Sequence, residues 1–358
     1  MQTLVTSPVT RPIQETGPVP VVFGIDVEPD ARMIARHESR PWTGMERIYE
    51  FVQSLRERLP GIDGLPAQFV WLLRMDPQIR MAYGDACWGA RRHRPMLECL
   101  REMGDDIGVH THLYDWDHEQ ERWVTDAHDP AWRRACVQES TDAYRRLFGT
   151  ACRVHSFGDR WLSEDSLDLL EQRGIVAELS AEPGFKAVSS LFPDEGFRGT
   201  LPDLSAAPRD AWRPRRGDLQ RHDPEGRPMV MVPVSTYRFP WRFEAGRRID
   251  ILRGRLRGRP VSIDQRTQRH ARLYLEHRAY VFRYGYRQLM ASYAPRQLHF
   301  VVNSSQARDE AALQRMQANI EWLVSEASPR GVAFVSATRL LDVLGLSRSR
   351  TGQAVSVK

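Results

Sequence analysis

Two short segments carry side chains suited to holding a metal ion: Ile25-Asp26-Val27-Glu28 and His110-Thr111-His112. Alternate side chains of an extended strand share a face, so Asp26 projects beside Glu28, and His110 beside His112. Imidazole and carboxylate donors gathered this way supply what metal-assisted hydrolysis requires: ligands for a divalent ion and a carboxylate to take a proton from water. Such nitrogen and oxygen donors point first to zinc, with iron, nickel and cobalt as alternatives. Asp76, which follows Trp71-Leu72-Leu73-Arg74-Met75, is a further candidate ligand, although Asp-Pro is also an ordinary turn starter.

The pairs need strands to present them. Apolar runs at Val21–Asp26, Phe69–Leu73, Ile107–His110, Val154–Phe157, Ile175–Leu179, Met229–Val234, Leu298–Asn303 and Val332–Ser336 alternate with helical periodicity. This alternation is the signature of β/α units around a parallel sheet, close to a barrel's complement. Ser163 caps an expected helix over Glu164–Arg173, and Gly174 stops it; Pro95–Met103 forms another that ends at Gly104, directly before the histidine strand. In such a barrel the carboxyl ends of the strands carry the chemistry. Asp26, Glu28, Arg74, Asp76, His110, His112, Asp159, Arg160 and Asn303 all follow or close a strand. His299 opens its strand, roughly 13 Å from Asn303 at about 3.3 Å per residue, and is excluded.

Residues 185–228 show little periodicity and read as a long excursion between strands. A second insertion spans 238–296, with helical periodicity from Asp264 to Ala291; insertions of this kind build substrate clefts. The organisation expected is one domain over residues 19–346, with disordered tails before and after. The chain has 358 residues, 41% of them hydrophobic, enough for a substantial core. No apolar stretch approaches the roughly 20 residues that span a bilayer. The first twenty residues lack a basic start and apolar block, which predicts a cytoplasmic protein. Cys87, Cys99, Cys136 and Cys152 contain no C-x-x-C pair and read as reduced core thiols. The net charge of +5 suits an anionic substrate. Arginines from Arg247 to Arg259 lack interleaved aromatics, so nucleic acid is not an expected partner.

The arrangement resembles the polysaccharide deacetylase, or NodB-homology, family. The likeness rests on the opening strand ending in Asp26, Ile107-Gly108-Val109-His110, and Ser156-Phe157-Gly158-Asp159-Arg160-Trp161-Leu162-Ser163 running into Leu167–Glu171 and Gly174-Ile175, then a last strand at Gly331–Val335. The resemblance implies a distorted (β/α)7-8 barrel that hydrolyses an acyl group, usually acetyl, from an amino sugar. It assigns Asp26 as base and Glu28 as a ligand, with exchange of the two left open, and His110 as the first metal histidine. Three positions depart from the family. Tyr114 stands where the second histidine usually falls, so His112 substitutes. The nearest arginine of the third motif is Arg160, expected to hold Asp26 ionised. Asn303-Ser304 replaces the general-acid histidine, which leaves His118, His155 or Tyr114 as donors and Asn303 as an oxyanion stabiliser.

Arg74, Tyr114, Trp116, Asp159, Trp161 and Tyr237 are the expected substrate contacts, with core packing the alternative for Tyr237 and Trp116. The substrate expected is an N-acetylated glycan precursor. Glycosidic-bond cleavage by paired carboxylates and a silent carbohydrate-binding barrel are the competing readings.

Overall fold

The computed structural model describes residues 17–31, 34, 41–189, 196–239 and 269–347. The expectations for the terminal tails and for the arginine cluster at 247–259 lie outside these residues. The chain runs through β1 (Val19–Val27), β2 (Val70–Arg74) and β3 (Asp106–Thr111), then a hairpin of β4 (Tyr114–Asp117) and β5 (Arg122–Asp126). It continues through β6 (Val154–Phe157), β7 (Ala177–Glu178), β8 (Phe197–Arg198), β9 (Pro214–Arg215) and β10 (Asp218–His222). Last come β11 (Val230–Met231), β12 (Thr236–Arg238), β13 (His270–Arg272), β14 (Leu298–Asn303) and β15 (Val332–Phe334).

Eight strands make one sheet, ordered β11, β7, β6, β3, β2, β1, β14, with β15 also on β1. Every pairing in it is parallel. These are the eight apolar runs read from the sequence. The sheet curls: beyond β11, Val232 N–H donates to Glu178 on the β7 side, while Ser235 N–H donates to the carbonyl of His299 in β14. The segment 232–235 thereby bridges the two ends of the sheet. This is the α/β barrel architecture expected.

Both faces of the sheet are covered, which is why its strands read as nearly unbroken apolar runs. On β1, Val21, Phe23 and Ile25 join the large core, whereas Val22 joins a second cluster with Val70, Leu72, Val154, Val230 and Val232. Space inside the curl is made by small residues. A Cβ on Gly24 would lie 3.2 Å from His299 Nε2, and one on Gly108 would lie 2.9 Å from Leu72. His299 is fully buried there, with its pKa pushed down to about 4 by burial, and it stays out of the cleft as expected.

The helices are α1 (Thr43–Arg56), α2 (Pro77–Tyr83), α3 (Trp88–Arg92), α4 (Arg94–Glu102), α5 (Pro130–Phe148), α6 (Glu164–Gln172), α7 (Ala279–Tyr293), α8 (Glu310–Ser325) and α9 (Ala337–Val343). Ser163 caps α6 through a capping box with Ser166. The excursion at 185–228 carries the short strands β8, β9 and β10. One expectation is corrected. Within the second insertion, His270–Arg272 is a strand paired antiparallel with β12, and the helix starts at Ala279. Alternation in so short a strand is too brief to register as a period. Among the described residues, no helix is long and apolar enough to cross a membrane.

One buried node fixes the strand register that the site depends on. Asp105 accepts from Arg56 at 2.9 and 2.7 Å, from Phe69 N–H at 3.0 Å and from Trp71 Nε1 at 2.9 Å. It ties α1 and the start of β2 to the start of β3, and the resulting register sets Arg74 beside His110. Removing one partner of a buried pair leaves an uncompensated charge, at about 3–5 kcal/mol. Asp105→Ala is expected to lose that much stability in urea unfolding; a loss below about 1 kcal/mol would contradict the role given to this node.

Candidate active site

At the carboxyl ends of β1, β3, β6 and β14 lies a cleft open to solvent. Its lining includes Asp26, Glu28, His110, His112, Asp159, Arg160, Glu182, Arg272, Tyr274 and Asn303. Register explains the convergence, since His110 pairs with Ser156 and Asp26 with Asn303. The two strands quoted first in the sequence are separated only by β2.

The two imidazoles are held edge to face, with centroids 4.7 Å apart at 77°, and their Nε2 atoms are 3.0 Å apart. Glu28 Oε2 lies 3.7 Å from His112 Nε2. One donor atom from each of Glu28, His110 and His112 lies within 4.8 Å of the others, and all three residues are buried. Two nitrogens bound tetrahedrally to zinc at about 2.0–2.1 Å stand about 3.3 Å apart, so the spacing fits a shared ion. The opposite ring nitrogens support this. His110 Nδ1 faces Asp26 Oδ1 at 3.4 Å, and His112 Nδ1 faces Asp159 Oδ2 at 3.9 Å. Carboxylates favour a proton on each Nδ1, which turns both Nε2 lone pairs toward one another. A cation between them resolves that repulsion.

Each ligand candidate is braced by its surroundings. Ser304 Oγ accepts the N–H of Glu28 and donates to its carbonyl, both at 3.1 Å, and Arg74 reaches the Glu28 carboxylate at 3.4 Å. The His112 ring stacks on Tyr114 at 4.9 Å and 7°. On the cleft side, Gly158 must lack a side chain, because a Cβ there would enter the His112 ring. The next two residues adopt left-handed backbone, Asp159 at φ 63 and Arg160 at φ 53. For residues other than glycine this costs about 1–2 kcal/mol each, less for Asp. The turn swings Asp159 into the cleft.

Several expected roles are redistributed. Asp76 is no ligand candidate: its oxygens accept from Arg74 at 2.8 and 3.0 Å, from Ile79 N–H and from His112 N–H. It caps α2 and anchors the backbone of His112. Arg74 is fully buried on Asp76, Gln78 and Glu28, so it braces the site rather than facing a substrate. Tyr114 is buried by its stack on His112. Trp161 is buried against Phe197, and Trp116 packs on Trp123. Tyr237 packs on Phe239, its pKa pushed up to about 12 by burial. None of these last four residues lines the cleft.

Arg160 lines the cleft, yet its guanidinium donates to Glu182 at 2.8 Å and to the Lys186 carbonyl at 3.3 Å, not to Asp26. The arginines whose charge bears on Asp26 are Arg272 and Arg74. Burial first, then the negative charge of Glu28 and Asp159, raises the Asp26 pKa well above the usual carboxylate range, against those two arginines. Among the proton-donor candidates, His118 is exposed, and His155 is buried against Thr111 and Glu178. Asn303 Oδ1 accepts from Ser305 N–H at 2.8 Å, so the amide nitrogen is the donor it can offer a substrate.

Arg272, Tyr274, Glu182 and Gln306 line the cleft but were not among the expected site residues. Arg272 and Tyr274 belong to the second insertion, Glu182 to the segment after β7, and Gln306 to a 3-10 turn at Ser304–Arg308 after β14. Glu182 is bound by both Arg160 and Arg272. Burial alone would raise its pKa, but the two arginines outweigh it and hold the carboxyl below its ordinary value. A lowered folded pKa stabilises fully above the ordinary carboxylate range and ceases to as pH falls through the lowered value. Glu182→Gln should therefore lower the melting temperature by at least about 5 °C at pH 7, and by less near pH 3. An equal shift at both pH values would contradict the pairing.

No family model matches the chain, and no curated protein matches it. Among solved structures, it is similar to a provisionally assigned polysaccharide deacetylase from Mycobacterium smegmatis, at 13% identity and TM-score 0.45, covering 99% of this chain and 98% of that one. Another provisionally assigned polysaccharide deacetylase, from Pseudomonas aeruginosa PAO1, matches at 11% identity and TM-score 0.48, covering 94% and 93%. A CE4 family pseudoenzyme from Bacillus anthracis matches at 9% identity and TM-score 0.39, covering 92% and 67%.

Proposed function

We propose that this chain is a metal-dependent hydrolase that removes an acyl group, acetyl in the first instance, from an N-acylated sugar. The observation that carries the reading is the meeting of Glu28, His110 and His112 donor atoms within 4.8 Å at a barrel mouth, with Asp26 lining the same cleft. Two imidazoles and one carboxylate are a hydrolytic zinc set. When bound, a divalent ion supplies Lewis-acid polarisation of the acyl carbonyl and lowers the pKa of water.

The chain's own groups do the rest. Glu28, His110 and His112 hold the ion, braced by Arg74, Ser304 and Tyr114. Asp26 takes the proton of the attacking water. The same carboxyl lines the cleft beside the ion-binding residues and can return that proton to the leaving amine. One carboxyl thus serves both transfers, which removes the need for a histidine at the Asn303 position. Asn303 and Arg272 offer donors to the substrate's oxygens. The polar lining, with Gln306 and Tyr274 added, suits a hydroxyl-rich substrate.

Acetate release from N-acetylated sugars and short glycans tests the reading. Turnover is expected to need an added divalent ion, to stop with chelator, and to fall by at least about 10²-fold in Asp26→Asn with metal content unchanged. Turnover that survives full removal of metal would overturn the proposal.

A further inference from the structure

We infer that Asp159 is a positioning residue for His112, matching what Asp26 does for His110, and that the left-handed turn at Gly158-Asp159-Arg160 exists to deliver it. The inference rests on the metal-dependent reading above and extends it to a carboxylate outside the ligand set.

Three independent features meet at this turn. First, the rings of His110 and His112 are arranged alike: each aims Nε2 at the other, 3.0 Å away, and each has a carboxylate on its Nδ1 side, at 3.4 Å for Asp26 and 3.9 Å for Asp159. Second, Asp159 reaches His112 only because the backbone turns left-handed at two successive residues, φ 63 and φ 53. Backbone of this kind persists only where the surroundings enforce it. Third, the turn is enforced from both sides. Gly158 lies directly under the His112 ring, with no room for a Cβ, and Arg160 is locked onto Glu182 and the Lys186 carbonyl.

A metal-ligating histidine that donates its far N–H toward a carboxylate has its tautomer and orientation fixed and its basicity raised. At 3.9 Å, Asp159 acts on His112 as a nearby charge or through one bridging water. The strained turn thus converts into a lone pair directed at the ion. Arg160 then serves this turn as a peg, which accounts for its place in the cleft without any contact to Asp26.

The test compares zinc and cobalt affinity of the wild-type chain with Asp159→Asn and Asp159→Gly, using a competing chelator, and follows the visible absorption of the cobalt forms. Asparagine and glycine both tolerate left-handed backbone, so both variants keep the turn. Metal-free Asp159→Gly should melt at or above the wild-type temperature, because the strain is relieved. Affinity should nevertheless fall about 10- to 100-fold, more for glycine than for asparagine, with an altered cobalt spectrum. Asp159→Glu is expected to restore part of the asparagine loss. Affinities of both variants within about threefold of wild type, when the wild-type chain does bind metal, would overturn this assignment alone. A wild-type chain that binds neither ion would overturn both the assignment and the reading beneath it.

Discussion

Two imidazole nitrogens 3.0 Å apart, each ring with a carboxylate at its far side, set the terms for everything around them. Protonation at Nδ1 is favoured by Asp26 and Asp159, and leaves two lone pairs facing across a short gap. In that tautomer a cation between the two nitrogens would be favourable. The fold spends many interactions on keeping this arrangement: a Ser304 clamp on Glu28, an Asp76 anchor on the His112 backbone, a Tyr114 stack and a glycine that admits the ring. Glu28, His110 and His112 together form a donor set that could hold one ion.

The barrel supplies the rigidity this requires. Parallel pairing of β1, β2 and β3 brings Asp26, Arg74 and His110 to the same end of the sheet, and Asp105 fixes the register from the opposite end. Arg74 shows how the levels connect. Its guanidinium is fully buried, so its charge demands partners; Asp76, Gln78 and Glu28 supply them, and in meeting that demand they immobilise the Glu28 carboxylate and the chain carrying His112.

Much of this was legible in the residues. The eight sheet strands appear as apolar runs because both faces of a parallel sheet are buried, and the strand-end rule selected Asp26, Glu28, His110 and His112 together. What it misread were residues near a strand end whose charge is consumed internally, such as Arg74 and Asp76. Sequence spacing places a side chain at the mouth but does not say whether it faces the cleft or a buried partner. Arg272 and Tyr274 escaped for another reason. They enter from an insertion whose return to the barrel depends on the β12–β13 pairing, a contact between segments 32 or more residues apart that no local pattern encodes. The same limit hid Glu182, which takes the arginine expected at Asp26.

The nitrogen that each of His110 and His112 would turn toward an ion can be measured directly. Long-range proton–nitrogen correlation spectra of the imidazoles, recorded before and after adding one equivalent of zinc, read this directly. The account predicts that His110 and His112 both carry their proton on Nδ1 and that zinc shifts both Nε2 signals together, at one ion per chain. Spectra in which zinc leaves these two rings unchanged, or binds them through Nδ1, would contradict it.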